Sequence, residues 1–285
     1  MHSAAIDFGG TVTDLILRRP GQSDVLLALP TAVPEPAVAG QLLDRLYASA
    51  GAARDGELAL VAVTGGRSWQ LPDALDGARV VKVDEPTATA VGGLLEDAPT
   101  PAIVVSLGTG TGIVLADPPS PPQRLVGSGI GGGTLLGLAK LLLGTTDVAR
   151  IGELAKRGEV GRCDLTVGDI LGGGVGPVPA DATAAHFARV ARPGAEAPRP
   201  EDIAAALTNL IGQSALRLAF ESARVHQARS IVLLGHVLDV PGFRDAIERI
   251  PLLDRSYVRI VSEPGFAVAR GARETALRTG ATAAA

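Results

Sequence analysis

The residues in this chain best equipped for chemistry are glycines with polar partners. Residues 127–134 read Gly-Ser-Gly-Ile-Gly-Gly-Gly-Thr and run directly into an apolar segment, residues 135–143. Each glycine weakens a helix or strand by up to about 1 kcal/mol relative to alanine, so five in seven positions make a poor packing element. Such a run offers backbone N–H groups with no Cβ in the way, at the start of a helix. That suits a phosphate or the edge of a nucleotide; the plain alternative is a flexible surface loop. Residues 7–11, Asp-Phe-Gly-Gly-Thr, set a carboxylate beside exposed glycine amides, where a Mg²⁺-bound phosphate can be received. Asp7 is otherwise an ordinary turn acid. Residues 108–112, Gly-Thr-Gly-Thr-Gly, form a second glycine turn. Glu85 stands just ahead of Pro86, a residue suited to a helix start, so it either complements the helix dipole or serves as a base. Arg124 lies in the segment 123–126 that immediately precedes the glycine stretch.

The elements that must position these residues follow from hydrophobic patterning. Residues 4–8 predict a buried strand, Gly9-Gly10 a tight turn, and residues 11–17 and 24–29 two returning strands. Val38, Leu42, Leu43 and Leu46 recur at helical spacing within residues 35–50. Strands are predicted at 58–63 and 79–83, and a helix at 87–95. Residues 102–107 and 113–116 flank the second glycine turn as strands, and 123–126 returns as another strand, carrying Arg124. Strand, glycine turn, strand thus opens each half of the chain. This implies a duplicated fold whose two turns face one cleft, with lobes at residues 1–100 and 101–285. Downstream, helices are predicted at 147–156, 181–190, 201–227, 244–250 and 266–278, a loop at 172–177, and strands at 230–234 and 257–261. His186 and His226 fall on predicted helices and read as surface or satisfied core residues.

Composition excludes several functions. With 285 residues, 46% hydrophobic, the chain can bury a large core. A net charge of −4 leaves no basic footprint for nucleic acid, so anionic phosphates must be met locally, by amides, a metal ion and a few cations. One cysteine, Cys163, rules out an internal disulfide framework and a self-contained four-cysteine metal site. The N-terminal residues match neither a signal nor a transit peptide, and no uncharged apolar run reaches the roughly 20 residues of a membrane span. The expectation is a soluble cytoplasmic protein.

Taken together, residues 7–11, 108–112 and 131–133 resemble the nucleotide cleft of the actin/hexokinase/Hsp70 superfamily, an α/β, ribonuclease H-like, two-lobed ATPase fold. Within it, GSGIGGGTLLGL over residues 127–138 looks like the signature of the type II pantothenate kinases. The segment from Asp164-Leu165-Thr166-Val167 to the Pro-Ala-Asp-Ala-Thr-Ala-Ala-His-Phe run at 179–187 is similar to another block of that family. The resemblance extends from Ile6 to the last predicted helix. It implies ATP-dependent phosphorylation of pantothenate. Asp7 would contact a hydrated Mg²⁺ at the ATP phosphates and Glu85 would be the general base. Arg124 would hold the substrate side near the transferring phosphate. Gly9, Gly10, Thr11, Gly108, Thr109, Gly110 and Thr111 would make the phosphate turns, and Gly131, Gly132, Gly133 and Thr134 would hold the adenosine. It also implies a homodimer, with the helix at 201–227 either part of that interface or buried within a lobe.

Three places depart from the family pattern. Asp14 stands where the family usually has lysine, and repels phosphates if it points into the cleft; Gly112 stands where serine, whose hydroxyl can meet the substrate, is common; and Gly235-His236-Val237 lacks the more polar run often found there. They leave open a different pantothenate-like alcohol, such as pantetheine, or a nucleotide-binding pseudokinase or regulatory protein. The activators of radical dehydratases share the expected fold but bridge an iron–sulfur cluster with cysteines from two subunits, usually two from each. Cys163 alone argues against that reading. The lack of a Cys/His cluster argues against a sugar kinase with structural zinc.

Overall fold

Both halves of the chain fold to the same strand plan in the computed structural model, which describes residues 2–54, 57–176, 178–249 and 258–282. In the first half, β1 (His2–Phe8), β2 (Val12–Arg18) and β3 (Val25–Pro30) form an antiparallel meander. β4 (Leu58–Gly65) and β6 (Ala78–Lys82) extend the other edge in parallel, and the short β5 (Ala74–Leu75) closes it, for an order of β3-β2-β1-β4-β6-β5. In the second half, β7 (Ala102–Leu107), β8 (Thr111–Ala116) and β9 (Gln123–Ser128) form the meander. β12 (Ser230–Leu234) and β13 (Val258–Ile260) add in parallel, giving β13-β12-β7-β8-β9. The parallel strands β1, β4, β7 and β12 are almost continuously buried and apolar, as strands covered on both faces must be.

Three apolar clusters hold the molecule. One lies under the first sheet, where α1 (Pro36–Ser49) packs Leu42, Leu43, Leu46 and Tyr47 against Ile6 and Val61. One lies within the second lobe, where α6 (Pro200–Val225) packs Leu207, Ile211 and Leu216 against Ile103 and Leu233. The third lies between the sheets and contains α2 (Glu85–Leu94) and α8 (Ala267–Thr282), which pack on each other. Small residues allow that approach: a Cβ on Gly271 would strike the Ala88 carbonyl of α2. The second lobe also carries α3 (Gly132–Leu143), α4 (Val148–Ala155), α5 (Val167–Leu171) and α7 (Phe243–Arg249). α6 is long and apolar enough to cross a membrane, yet 67% of its most apolar window is buried in this core. Of the two expectations for this helix, burial within a lobe accounts for its apolar face.

The segment at 181–190 is not a helix. β10 (Leu165–Thr166) pairs antiparallel with β11 (Thr183–Ala185), and turns follow. The buried Asp164 carboxylate accepts the Phe187 N–H at 2.9 Å, the Thr183 hydroxyl at 3.2 Å and the Asn209 amide at 3.0 Å. An extended backbone can converge its donors on one acid, whereas a helix would use its N–H groups internally. His186 Nδ1 lies 3.0 Å from the same carboxylate, so this histidine is a partnered residue of a buried network. Of the strand at 257–261, Tyr257 lies outside the described residues, as does Ile250 of the helix at 244–250.

Candidate active site

Register brings the acids of the first sheet together. Asp7 on β1 pairs with Asp14 on β2 and with Thr64 on β4, so the three side chains share one face near the strand ends. After β4 the chain turns sharply at Gly65, whose φ of +79° is a left-handed conformation. A Cβ there would collide with Asp7 Oδ1, so glycine is required for the turn and for the carboxylate's place. The β1–β2 turn is fixed from β3: the Thr31 hydroxyl donates to the Gly9 carbonyl at 2.6 Å and the Thr31 N–H to the Thr11 carbonyl at 3.0 Å.

The two glycine turns meet. Thr11 Oγ1 lies 2.8 Å from Thr109 Oγ1, across the lobes. Around this junction opens a cleft of about 1160 Å³. It is lined by Asp7, Gly9, Gly10, Thr11, Glu85, Gly108, Thr109, Gly110, Thr111, Arg124 and Gly132. Glu85 is the first residue of α2, exposed, at the positive end of that helix dipole. Asp84 caps the helix by accepting the Thr87 N–H at 2.9 Å. Because α2 runs between the two sheets, its first turn opens into the cleft. Arg124 stands on β9, and its guanidinium passes close to the Cα of Gly127, where a Cβ would come within 3.4 Å of Nη2.

Gly131, Gly133 and Thr134 do not line the cleft. The Gly132 N–H donates to the Gly108 carbonyl at 2.8 Å and the Gly133 N–H to the Thr109 carbonyl at 2.9 Å. The Gly131 N–H reaches Thr134 Oγ1 at 3.3 Å, and that hydroxyl donates to the Gly129 carbonyl at 2.9 Å. The amides expected to be open to a ligand are thus already engaged. A Cβ on Gly131 would lie 2.6 Å from the Gly110 backbone. The glycines of residues 131–133 serve mainly to bring the start of α3 into backbone contact with the β7–β8 turn. Thr111 likewise donates its hydroxyl to the Ile130 carbonyl at 2.7 Å.

Asp14 does not face the cleft as a bare anion. It is 5% exposed and holds His236 Nε2 at 2.7 Å, while His236 Nδ1 meets Asp239 at 3.0 Å. Burial works to lower the His236 pKa, but the hydrogen bonds and charges of Asp14 and Asp239 outweigh it and push the imidazole up to about 10. Burial also raises Asp14, against the pull of His236. Asp7 is pushed up to about 7 by burial first, then by the neighbouring charges of Asp14 and Glu85, with His236 opposing. No cation is paired with Asp7 among the described residues. A carboxylate in this state gains when a divalent cation arrives, and one acid with waters and phosphates is how Mg²⁺ is usually held. No cluster of three or more potential ligands is present among the described residues, so an all-protein metal cage is not part of the site.

His236, Asp239 and Arg67 line the cleft and were not found from the sequence. Asp14 and His236 are 222 positions apart, and nothing local announces their pairing. The one available signal was the position of His236, directly after a predicted strand and a glycine. Gly112 leaves open space where a Cβ would stand, on the cleft wall. Cys163 is fully buried and its thiol is pushed up to about 11 by burial and nearby acids, which makes it inert.

The sequence profile of the Fumble family matches residues 61–242, a span that contains Glu85, the second glycine turn and Arg124 but not Asp7 or residues 9–11. A type II pantothenate kinase of Oceanobacillus iheyensis is 34% identical over 182 residues, covering 62% of this chain and 66% of that protein. Pantothenate kinase 1 of Oryza sativa subsp. japonica is 36% identical over 138 residues, 47% of this chain and 21% of its own length. The chain therefore spans just under two thirds of the first relative and about a fifth of the second. Among solved structures, the activator of the 2-hydroxyisocaproyl-CoA dehydratase from Clostridium difficile, with bound ADPNP, superposes with a TM-score of 0.68 at 16% identity, over 99% of this chain and 97% of that one. At that identity the likeness establishes the two-lobed, actin-like fold and nothing about activity.

Proposed function

Because the chain belongs to the Fumble family, we propose that it is an ATP-dependent kinase that phosphorylates pantothenate to 4′-phosphopantothenate, the first step of coenzyme A biosynthesis. The observation that carries this reading is convergence: Asp7, Glu85, Arg124 and both glycine turns, from two lobes and a helix between them, line one cleft. Phosphoryl transfer asks a protein for positioning and charge neutralisation more than for covalent chemistry, and these are the groups that supply it. Glu85 accepts the proton of the primary hydroxyl as that oxygen bonds to the γ-phosphorus and the bond to the leaving ADP oxygen breaks. Its exposed place at the start of α2 gives it reach. Arg124 holds the substrate side and offsets charge on the equatorial oxygens. Gly9, Gly10, Thr11 and residues 108–111 grip the phosphates, and the α3 start, docked on the second turn, bounds the adenosine side. Asp7 holds the hydrated Mg²⁺, which supplies neutralisation of the phosphate charge when bound.

The regulatory alternative leaned on Asp14 and Gly112. Asp14 is bonded to His236 and so is not bare toward the phosphates, while Gly112 leaves open space where the family's serine would present a hydroxyl to the acceptor. We assign a cytoplasmic homodimer to this function. The exposed apolar side chains Leu141 and Leu142 of α3 and Ile170 and Leu171 of α5 are our candidate interface, beside the outer face of α6. Glu85→Gln tests the mechanism: turnover should fall about a hundredfold or more, the usual scale for a lost general base, while ADPNP still binds. Wild-type turnover in that variant would remove Glu85 from the mechanism.

A further inference from the structure

His236 joins the lobes at the phosphate end of the cleft. It opens a 3-10 turn, His236–Asp239, directly after β12 of the second sheet, while its partner Asp14 sits within β2 of the first. Both ring nitrogens are occupied, Nε2 by Asp14 at 2.7 Å and Nδ1 by Asp239 at 3.0 Å. Ionised carboxylates can only accept, so a ring bonded to two of them carries both protons and a full positive charge. The imidazole is held from a third side by Phe266, edge-on with ring centroids 5.6 Å apart, and it closes against Gly265, where a Cβ would collide with it. The ring therefore has one orientation. Asp239 and Phe266 orient it from the second lobe, and its remaining nitrogen is aimed at the first. Asp14 in turn is the register partner of Asp7 and lies in the strand that emerges from the first glycine turn.

We propose that His236 is a positioning residue for phosphoryl transfer, which grips Asp14 across the cleft and so fixes the first phosphate turn, with Asp7, in register with the second. It touches neither the transferred phosphoryl group nor the acceptor. The Thr11–Thr109 hydroxyl contact links the turns themselves, but it is exposed and lines the cleft where phosphates must enter. The Asp14–His236 contact is set back in the wall, with Asp14 buried. The bridge also places a positive charge within the field of Asp7, offsetting Asp14 there. This proposal rests on the kinase reading, because it assigns a role within that reaction.

The test is a double-mutant cycle on the 285-residue chain with Asp14→Asn, His236→Gln and the double variant, following kcat and KM for pantothenate and the affinity for ADPNP–Mg²⁺. If the bridge positions the turns, each single variant lowers kcat roughly tenfold to a hundredfold, the scale of a small misplacement of reacting groups, and leaves KM for pantothenate within about threefold. The double variant then loses no more than the worse single, because both remove one device. Unchanged kcat in the folded single variants, or losses that multiply in the double, would overturn the proposal. A wild-type chain that turns over neither pantothenate nor pantetheine would defeat the kinase reading instead. The bridge is then judged on the same cycle read in ADPNP–Mg²⁺ affinity, where independent effects of the two substitutions would reject it.

Discussion

At the scale of single residues, the site is organised by charge held away from water. Asp7 and Asp14 are register partners and would repel one another if both stood bare. His236 settles this by taking up Asp14. Its protonation in the folded state has a consequence for stability. The folded pKa is raised, to about 10, above the ordinary value of 6.5. The stabilisation is therefore fully present below about pH 6.5 and is lost as pH rises through 10. His236→Gln should accordingly lower Tm most near pH 6.5, with the gap to wild type closing towards pH 10 in thermal scans. A gap that widens with pH would mean that the imidazole is neutral in the folded protein.

At the scale of elements, helices and turns place these groups. α2 delivers Glu85 because it is capped by Asp84 and trapped between the two sheets. α3 docks on the β7–β8 turn through glycines that allow backbone-to-backbone contact. Gly131→Val should therefore destabilise the protein by about 1–3 kcal/mol, the scale of overpacking in a tight site, and weaken nucleotide binding by displacing the second turn. Gly129→Ala, where a Cβ would meet nothing within 4 Å, is the matched control for stability, which it should leave unchanged. Chemical denaturation with ADPNP titration checks both. Equal stability of the two variants would return the stretch to the role of a loose loop.

At the scale of the whole molecule, two like-built sheets hold a cleft between them, and ligand occupancy should tie them together. Saturating ADPNP with Mg²⁺ should raise Tm, by the equivalent of about 2.7 kcal/mol at a hundredfold excess over Kd. EDTA should remove most of that gain, since Asp7 then faces the phosphates without a cation. A Tm increase indifferent to EDTA would take the metal out of the site. If Leu141, 80% exposed on α3, belongs to the subunit interface, Leu141→Glu should convert a dimer to a monomer in sedimentation experiments.

Much of this was legible in the chain itself, for a physical reason. Strand and helix periodicity, glycine turns and an acid beside Pro86 at a helix start are local, so the duplicated meander and the places of Asp7, Glu85 and Arg124 on their elements could be read directly. β7 and β12 fall on their predicted limits, residues 102–107 and 230–234. The segment at 181–190 failed because its extended form depends on Asp164, a distant buried acceptor, and not on its own pattern. The glycine stretch misled in a similar way. Its composition offers free amides, and only its approach to the β7–β8 turn decides that carbonyls take them. The sign of the charge at Asp14 was plain from its residue type, but its effect was not. A carboxylate acts on its surroundings according to what lies within a few ångströms, and for Asp14 that neighbour is an imidazole 222 residues away in the chain, brought there by the folding of two lobes onto one cleft.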